Sequence, residues 1–157
     1  MRTLLFILVT LALAGVAAGA GLASSGSAGP TAADAAQARA TLTVRSSRYG
    51  RILFDSRGRA LYAFTRDSRG GRSQCYGACA SAWPVYFAKG RLRAGPGVRQ
   101  GLIGMTRRRN GRLQVTYNGW PLYYYVNDRR PGQVTCQNVN EFGGLWLVVR
   151  PNGQPVR

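Results

Sequence analysis

The chain has 157 residues, with 22 lysines and arginines set against five acids and no histidine. A formal net charge of +17 points to anionic partners and to solubility, and says nothing about fold. The missing histidine excludes His-based triads, His metal ligands and haem ligation by His.

Residues 1–23, MRTLLFILVTLALAGVAAGAGLA, carry one arginine, then an apolar run, then small residues suited to Ala-x-Ala-type cleavage after Ala20 or Ala23. This order predicts a secretory signal peptide. A retained anchor would need about 20 predominantly apolar residues, and the run turns small and glycine-rich after Leu13, so no transmembrane helix is expected to remain. Cleavage would remove Arg2 alone from the charge count, taking +17 to +16, and every remaining base except Lys89 is arginine. No cysteine lies near the cleavage site, so the expected product is secreted or held at the cell envelope without a lipid anchor.

Residues 24–40, SSGSAGPTAADAAQARA, contain no large apolar side chain. They cannot bury enough surface to offset their ordering entropy and are expected to form a flexible tether. Residues 41–157 are one domain's worth of chain, enough for a single modest core.

That body is written twice. GRILFDSRGRALYAFTRDSRGGRSQC, from Gly50 to Cys75, lies over GRLQVTYNGWPLYYYVNDRRPGQVTC, from Gly111 to Cys136, without a gap and at a constant offset of 61. The identities include Gly58 and Gly119, Tyr62 and Tyr123, Asp67 and Asp128, and Cys75 and Cys136. A two-residue shift then brings Trp83 over Trp146, each opening a short apolar run. Two copies of one supersecondary unit follow, about 50–87 and about 111–149.

Each copy reads as a hairpin, because two short runs rich in β-branched and aromatic residues flank a turn signal. In the second copy Asn118-Gly119 suits a tight type I′ connection; in the first the turn is the longer DSRG, Asp55 to Gly58. No sustained 3.6-residue apolar period occurs, so at most a short helical turn is expected, around YGACASA. The fold class expected is all-β: a small sandwich or partly open barrel of two pseudo-symmetric hairpin repeats. Its core would hold Tyr62, Phe64, Trp83, Tyr123, Tyr125 and Trp146. Side chains alternate along a strand, so Tyr124 falls on the face opposite Tyr123 and Tyr125 and is expected to be free to contact a partner.

The spaced residues Tyr62, Phe64 and Asp67 in YAFTRD, and Tyr123, Tyr125 and Asp128 in YYYVND, resemble the motif of the bacterial "secreted repeat of unknown function" family. That family is also described as predicted lipoproteins with a Yx(FWY)xxD motif. CYGACASAWP, QVTYNGWPLYYY and GGLWLVV resemble it further, so the likeness covers about residues 49–153. The chain departs from the family pattern in three places. It lacks the lipid-attachment cysteine, has Gln133 where an acid is common, and has Cys136 where many members have glycine. The resemblance implies no established biochemical role.

Three cysteines permit three single pairings in an oxidising compartment. Chain entropy gives about 2 kcal/mol for closing Cys75 to Cys79 and about 4 for tying either to Cys136 across roughly 60 residues. The family resemblance instead implies the short Cys75–Cys79 bridge, leaving Cys136 free or intermolecular. The spacing of CYGAC is not that of a redox dithiol.

Asp67 and Asp128 end their strands before SRGG and RRPG, where a carboxylate accepts backbone N–H bonds and shapes a turn. A calcium site would need six to eight oxygens, and each copy offers a lone acid. No metal, cofactor or catalytic constellation is expected, and the chain is not expected to be an enzyme. Trp83 and Trp146 are expected in the core. The basic runs supply Arg107, Arg108, Arg109 and Arg112, then Arg129 and Arg130, with Tyr124 nearby as a stacking surface. Charge runs are commonly solvated turns, so a structural or interaction module is the leading expectation. The alternative is a binder of anionic polymers such as teichoic acid, acidic glycan or nucleic acid, although no specific nucleic-acid motif is present.

Overall fold

The computed structural model describes residues 41–157 together with Gly29; the expected signal peptide and tether otherwise lie outside the described residues. β1 (Leu42–Ser47) turns back through Arg48 and Tyr49 into β2 (Gly50–Asp55), pairing Leu42 with Asp55 and Ser47 with Gly50. β3 (Tyr62–Phe64) pairs antiparallel with β8 (Gly144–Val148), and β8 pairs with β7 (Val139–Glu141). β4 (Ile103–Arg107), β5 (Leu113–Tyr117) and β6 (Trp120–Pro121) make the third antiparallel sheet. Among the described residues one α-helix occurs, α1 (Ala78–Ala82), and it falls on the predicted YGACASA turn. The described residues form an all-β, two-repeat sandwich, with no closed barrel among them.

The offset of 61 holds in space. β1 and β2 form one hairpin and β4 and β5 its counterpart, Leu42 standing to Ile103 as Gly50 stands to Gly111. Each unit thus begins one strand before the repeated sequence becomes recognisable. The two copies meet where Tyr62 and Tyr123 exchange both backbone N–H bonds, each 2.9 Å. Asn118 and Gly119 have φ of 49° and 79° and join Tyr117 to its partner Trp120 across a two-residue turn, the geometry of type I′. A Cβ on Gly119 would stand 2.8 Å from the Gly70 amide nitrogen, so glycine also admits the other copy's loop.

Two apolar clusters flank the segments 61–64 and 122–125. Ile52, Phe54, Tyr62, Phe64, Trp83, Tyr123 and Trp146 fill the first; Leu42, Leu53, Leu61, Ala63, Leu122 and Tyr124 belong to the second. The alternation expected from sequence is therefore correct, but both of its faces are covered. Tyr124 is buried, 8% accessible, and Tyr125 is the half-buried member of the run. The reading of Tyr124 as an exposed contact is corrected. An antiparallel strand buries one face when it borders solvent, and these segments run between two packed layers.

Candidate functional site

The first cluster is organised around four rings contributed alternately by the two copies. Phe64 stacks on Trp146 at 4.1 Å, Trp146 on Trp83 at 3.9 Å, and Tyr125 closes on Trp83 at 4.6 Å. Tyr62 meets Trp83 edge-on and Tyr123 meets Trp146 likewise, both at 5.2 Å. Both tryptophans are fully buried, as expected from sequence, and their indole N–H groups donate to Glu141, Trp83 to its carboxylate and Trp146 to its carbonyl. The edge-on pairs at 5.2 Å have the geometry in which aromatic rings gain more than their buried area supplies.

The motif acids are used across the copies. The Tyr62 hydroxyl donates to Asp128 Oδ2 and the Tyr123 hydroxyl donates to Asp67 Oδ2, both at 2.6 Å. The other carboxylate oxygen shapes its own loop: Asp67 Oδ1 accepts the Gln74 N–H, and Asp128 Oδ1 accepts the N–H and hydroxyl of Thr135. The turn role foreseen from sequence accounts for half of each aspartate. The tyrosine partner on the opposite copy accounts for the rest. Burial pushes the Asp67 carboxyl above its usual range, opposed by the Tyr123 bond, the Gln74 amide and the charge of Arg108. Burial, together with the Asp128 and Asp67 carboxylates, drives the Tyr62 and Tyr123 hydroxyls far above the ordinary phenol range.

Cys75 is bonded to Cys79 with Cα atoms 5.3 Å apart, and Cys136 is a buried free thiol. The family-implied short bridge is the one that forms. Chain entropy favoured a longer loop, but Cys136 takes the place of Cys75 in the second copy and remains there with its thiol pushed up by burial.

The expected anion contacts separate. Arg108 is buried, 5% accessible, and its guanidinium donates to Ser73 Oγ, Gln114 Oε1 and the Cys75 carbonyl. It braces the disulfide loop and is withdrawn from the surface, a second correction to the sequence reading. A guanidinium buried this far persists because acceptors surround it. Arg107 is exposed and donates to the Gly111 carbonyl; Arg109 lies over the Tyr76 ring at 4.5 Å. Arg129 and Arg130 are exposed beside Asp128. Tyr124 donates its hydroxyl to Asp55 Oδ2 beneath Arg59, and burial drives that phenol upward too.

The cations that do converge come from different segments. Arg57, Arg59, Lys89, Arg91 and Arg112 line one cleft of about 440 Å³, floored by Tyr86, Phe87 and Tyr124. Asp55 holds this rim by accepting the Arg57 and Arg59 N–H groups at 2.9 Å and the Arg59 guanidinium Nε at 3.0 Å. Of these five, only Arg112 stood in a basic run. The others stand as two short pairs, Arg57 with Arg59 and Lys89 with Arg91, thirty residues apart, and neither pair is a basic run. Among the described residues, no group of three or more His, Cys, Asp or Glu side chains is placed to hold a metal, and no helix is long and apolar enough to cross a membrane.

A family model described as "secreted repeat of unknown function" matches residues 43–86 and again 104–150, more than half the chain. The chain belongs to that family. Both matched spans open inside β1 and β4, the strands that precede the recognisable repeat. Neither a curated protein nor a solved structure matches the chain. Family membership carries the description "secreted" and two repeats; it assigns no chemistry.

Proposed function

We propose that the chain is an extracytoplasmic, non-catalytic interaction module, released by removal of residues 1–23, carried on the 24–40 tether and not lipid-anchored. The observation that supports this reading is the disposition of charge. The motif carboxylates Asp67 and Asp128 are buried and bonded to the opposite copy's tyrosine. Asp55 and Glu141 are likewise engaged, by Arg59 and by Trp83. Acid–base work needs a group free to exchange a proton with a substrate, and these acids are occupied in holding the fold. The exposed rim cations Arg57, Lys89 and Arg91 remain for partners.

The purified protein, immobilised and exposed to cell-envelope fractions at two salt concentrations, tests this. The expected result is selective retention of an envelope component compared with a control protein of equal net charge. Retention no greater than that control would refute the module reading.

A further inference from the structure

We infer that the cleft between the β2–β3 turn and the segment 85–91 binds a polyol chain linked by phosphodiesters. This deepens the interaction-module reading and rests on it. The cleft gathers Arg57, Arg59, Lys89, Arg91 and Arg112 around about 440 Å³. Its one acid, Asp55, is already occupied by Arg59 and Tyr124, so the local field is strongly positive. Guanidinium groups match phosphate oxygens in geometry and keep their charge at any physiological pH.

Its walls discriminate among polyanions. Arg59 lies 3.7 Å above the Tyr124 ring and Arg112 lies 3.4 Å above Phe87. Those aromatic faces position cations, and a nucleobase stacking there would have to displace a guanidinium. Among the described residues no asparagine, glutamine or glutamate lines the cleft, and the Asp55 oxygens are taken, so a ring of sugar hydroxyls would find only the hydroxyls of Thr41, Ser56, Tyr86 and Tyr124 and no amide or free carboxylate to grip it. A slender chain with a charge on every repeat and neither base nor ring to accommodate fits what is there.

The site also continues. Val85 and Phe87 line both this cleft and a second one of about 440 Å³ that holds Arg109 and Tyr76. Arg112 over Phe87 stands at the junction. A single phosphate would use one cleft; a polymer can run through both.

The test is titration of the purified protein with poly(glycerol phosphate) of defined length, alongside polygalacturonate and oligo(dT), at several salt concentrations. The variant R57Q/K89Q/R91Q removes three exposed cleft cations, and R129Q/R130Q/R150Q removes the same charge elsewhere. The expected result is a preference for poly(glycerol phosphate), at least tenfold weaker binding in the cleft variant, and less than threefold change in the control. The salt dependence of log K should fall by two to three units of slope in the cleft variant, since about 0.7–0.9 unit is lost per phosphate contact. Equal losses in the two variants would overturn the assignment of the cleft. Preference for polygalacturonate or oligo(dT), with the cleft variant still impaired, would overturn the polyol phosphate and leave the module reading standing. Retention of an envelope component without poly(glycerol phosphate) binding would do the same.

Discussion

The crossed tyrosine–aspartate pairs are the contacts on which the repeat motif depends, and Tyr62→Phe isolates one of them. The substitution keeps the ring, and with it the edge-on contact with Trp83 at 5.2 Å. It removes the donor to Asp128 Oδ2, while Thr135 continues to serve Oδ1. A hydrogen bond to a charged acceptor contributes about 1.5–3 kcal/mol. For a domain of this size each kcal/mol lowers the melting temperature by roughly 4 °C, so a fall of about 6–12 °C is expected. Urea unfolding followed by tryptophan fluorescence should show the midpoint falling at unchanged m-value. Tyr123→Phe should cost a similar amount at neutral pH, and its deficit should shrink in acid. Asp67 has a folded-state pKa raised above its unfolded value, so its contribution is present at low pH and lost as pH rises through the folded pKa. Without the Tyr123 donor that pKa climbs further, and the protonated carboxyl no longer needs the bond. A Tyr62→Phe variant within about 0.5 kcal/mol of wild type would refute the reasoning, because that is the scatter of a neutral surface change.

Tyr62, Tyr86, Tyr123 and Tyr124 all hold their protons far above the ordinary phenol range, chiefly through burial. Stability should therefore be intact below about pH 10 and fall above it by about 1.4 kcal/mol per pH unit for each tyrosine, or about 5–6 for the four. Phenolate absorbance at 295 nm should rise together with loss of near-ultraviolet circular dichroism; ionisation of these rings in a folded protein would contradict it. Trp83→Ala opens the ring stack at its centre and should cost about 3–5 kcal/mol by denaturant unfolding, whereas a surface residue would lose almost nothing. Cys136 is 7% accessible, so a disulfide-exchange reagent at pH 8 should titrate almost no thiol natively and one per chain after unfolding without reductant. Rapid native labelling would place that thiol at the surface.

The hairpin at Asn118-Gly119 and the identity of the core rings were legible because turn chemistry and alternation are local. The strands β1 and β4 were not, since TLTVRSS and LIGMTRR share too little for the repeat to be seen in them. Tyr124 was misplaced because alternation assigns a residue to a face without saying whether that face meets solvent. Arg108 was misplaced for a related reason: its neighbours in the sequence are solvated, while Ser73 and Gln114, which receive it, lie on other segments. The two cation pairs Arg57/Arg59 and Lys89/Arg91 meet each other and Arg112 only through the fold, which sequence proximity could not have shown.

The exchange of hydroxyl for carboxylate between copies has the form of an isologous contact, in which each side presents the same donor and the same acceptor. Here one chain supplies both sides. A single copy released from its partner would carry a buried-type tyrosine, an undonated aspartate and half a ring stack facing water, so the smallest stable unit is a pair. Shortening the chain to one repeat should therefore yield an obligate homodimer or an unfolded chain, and any lengthening would have to proceed two copies at a time.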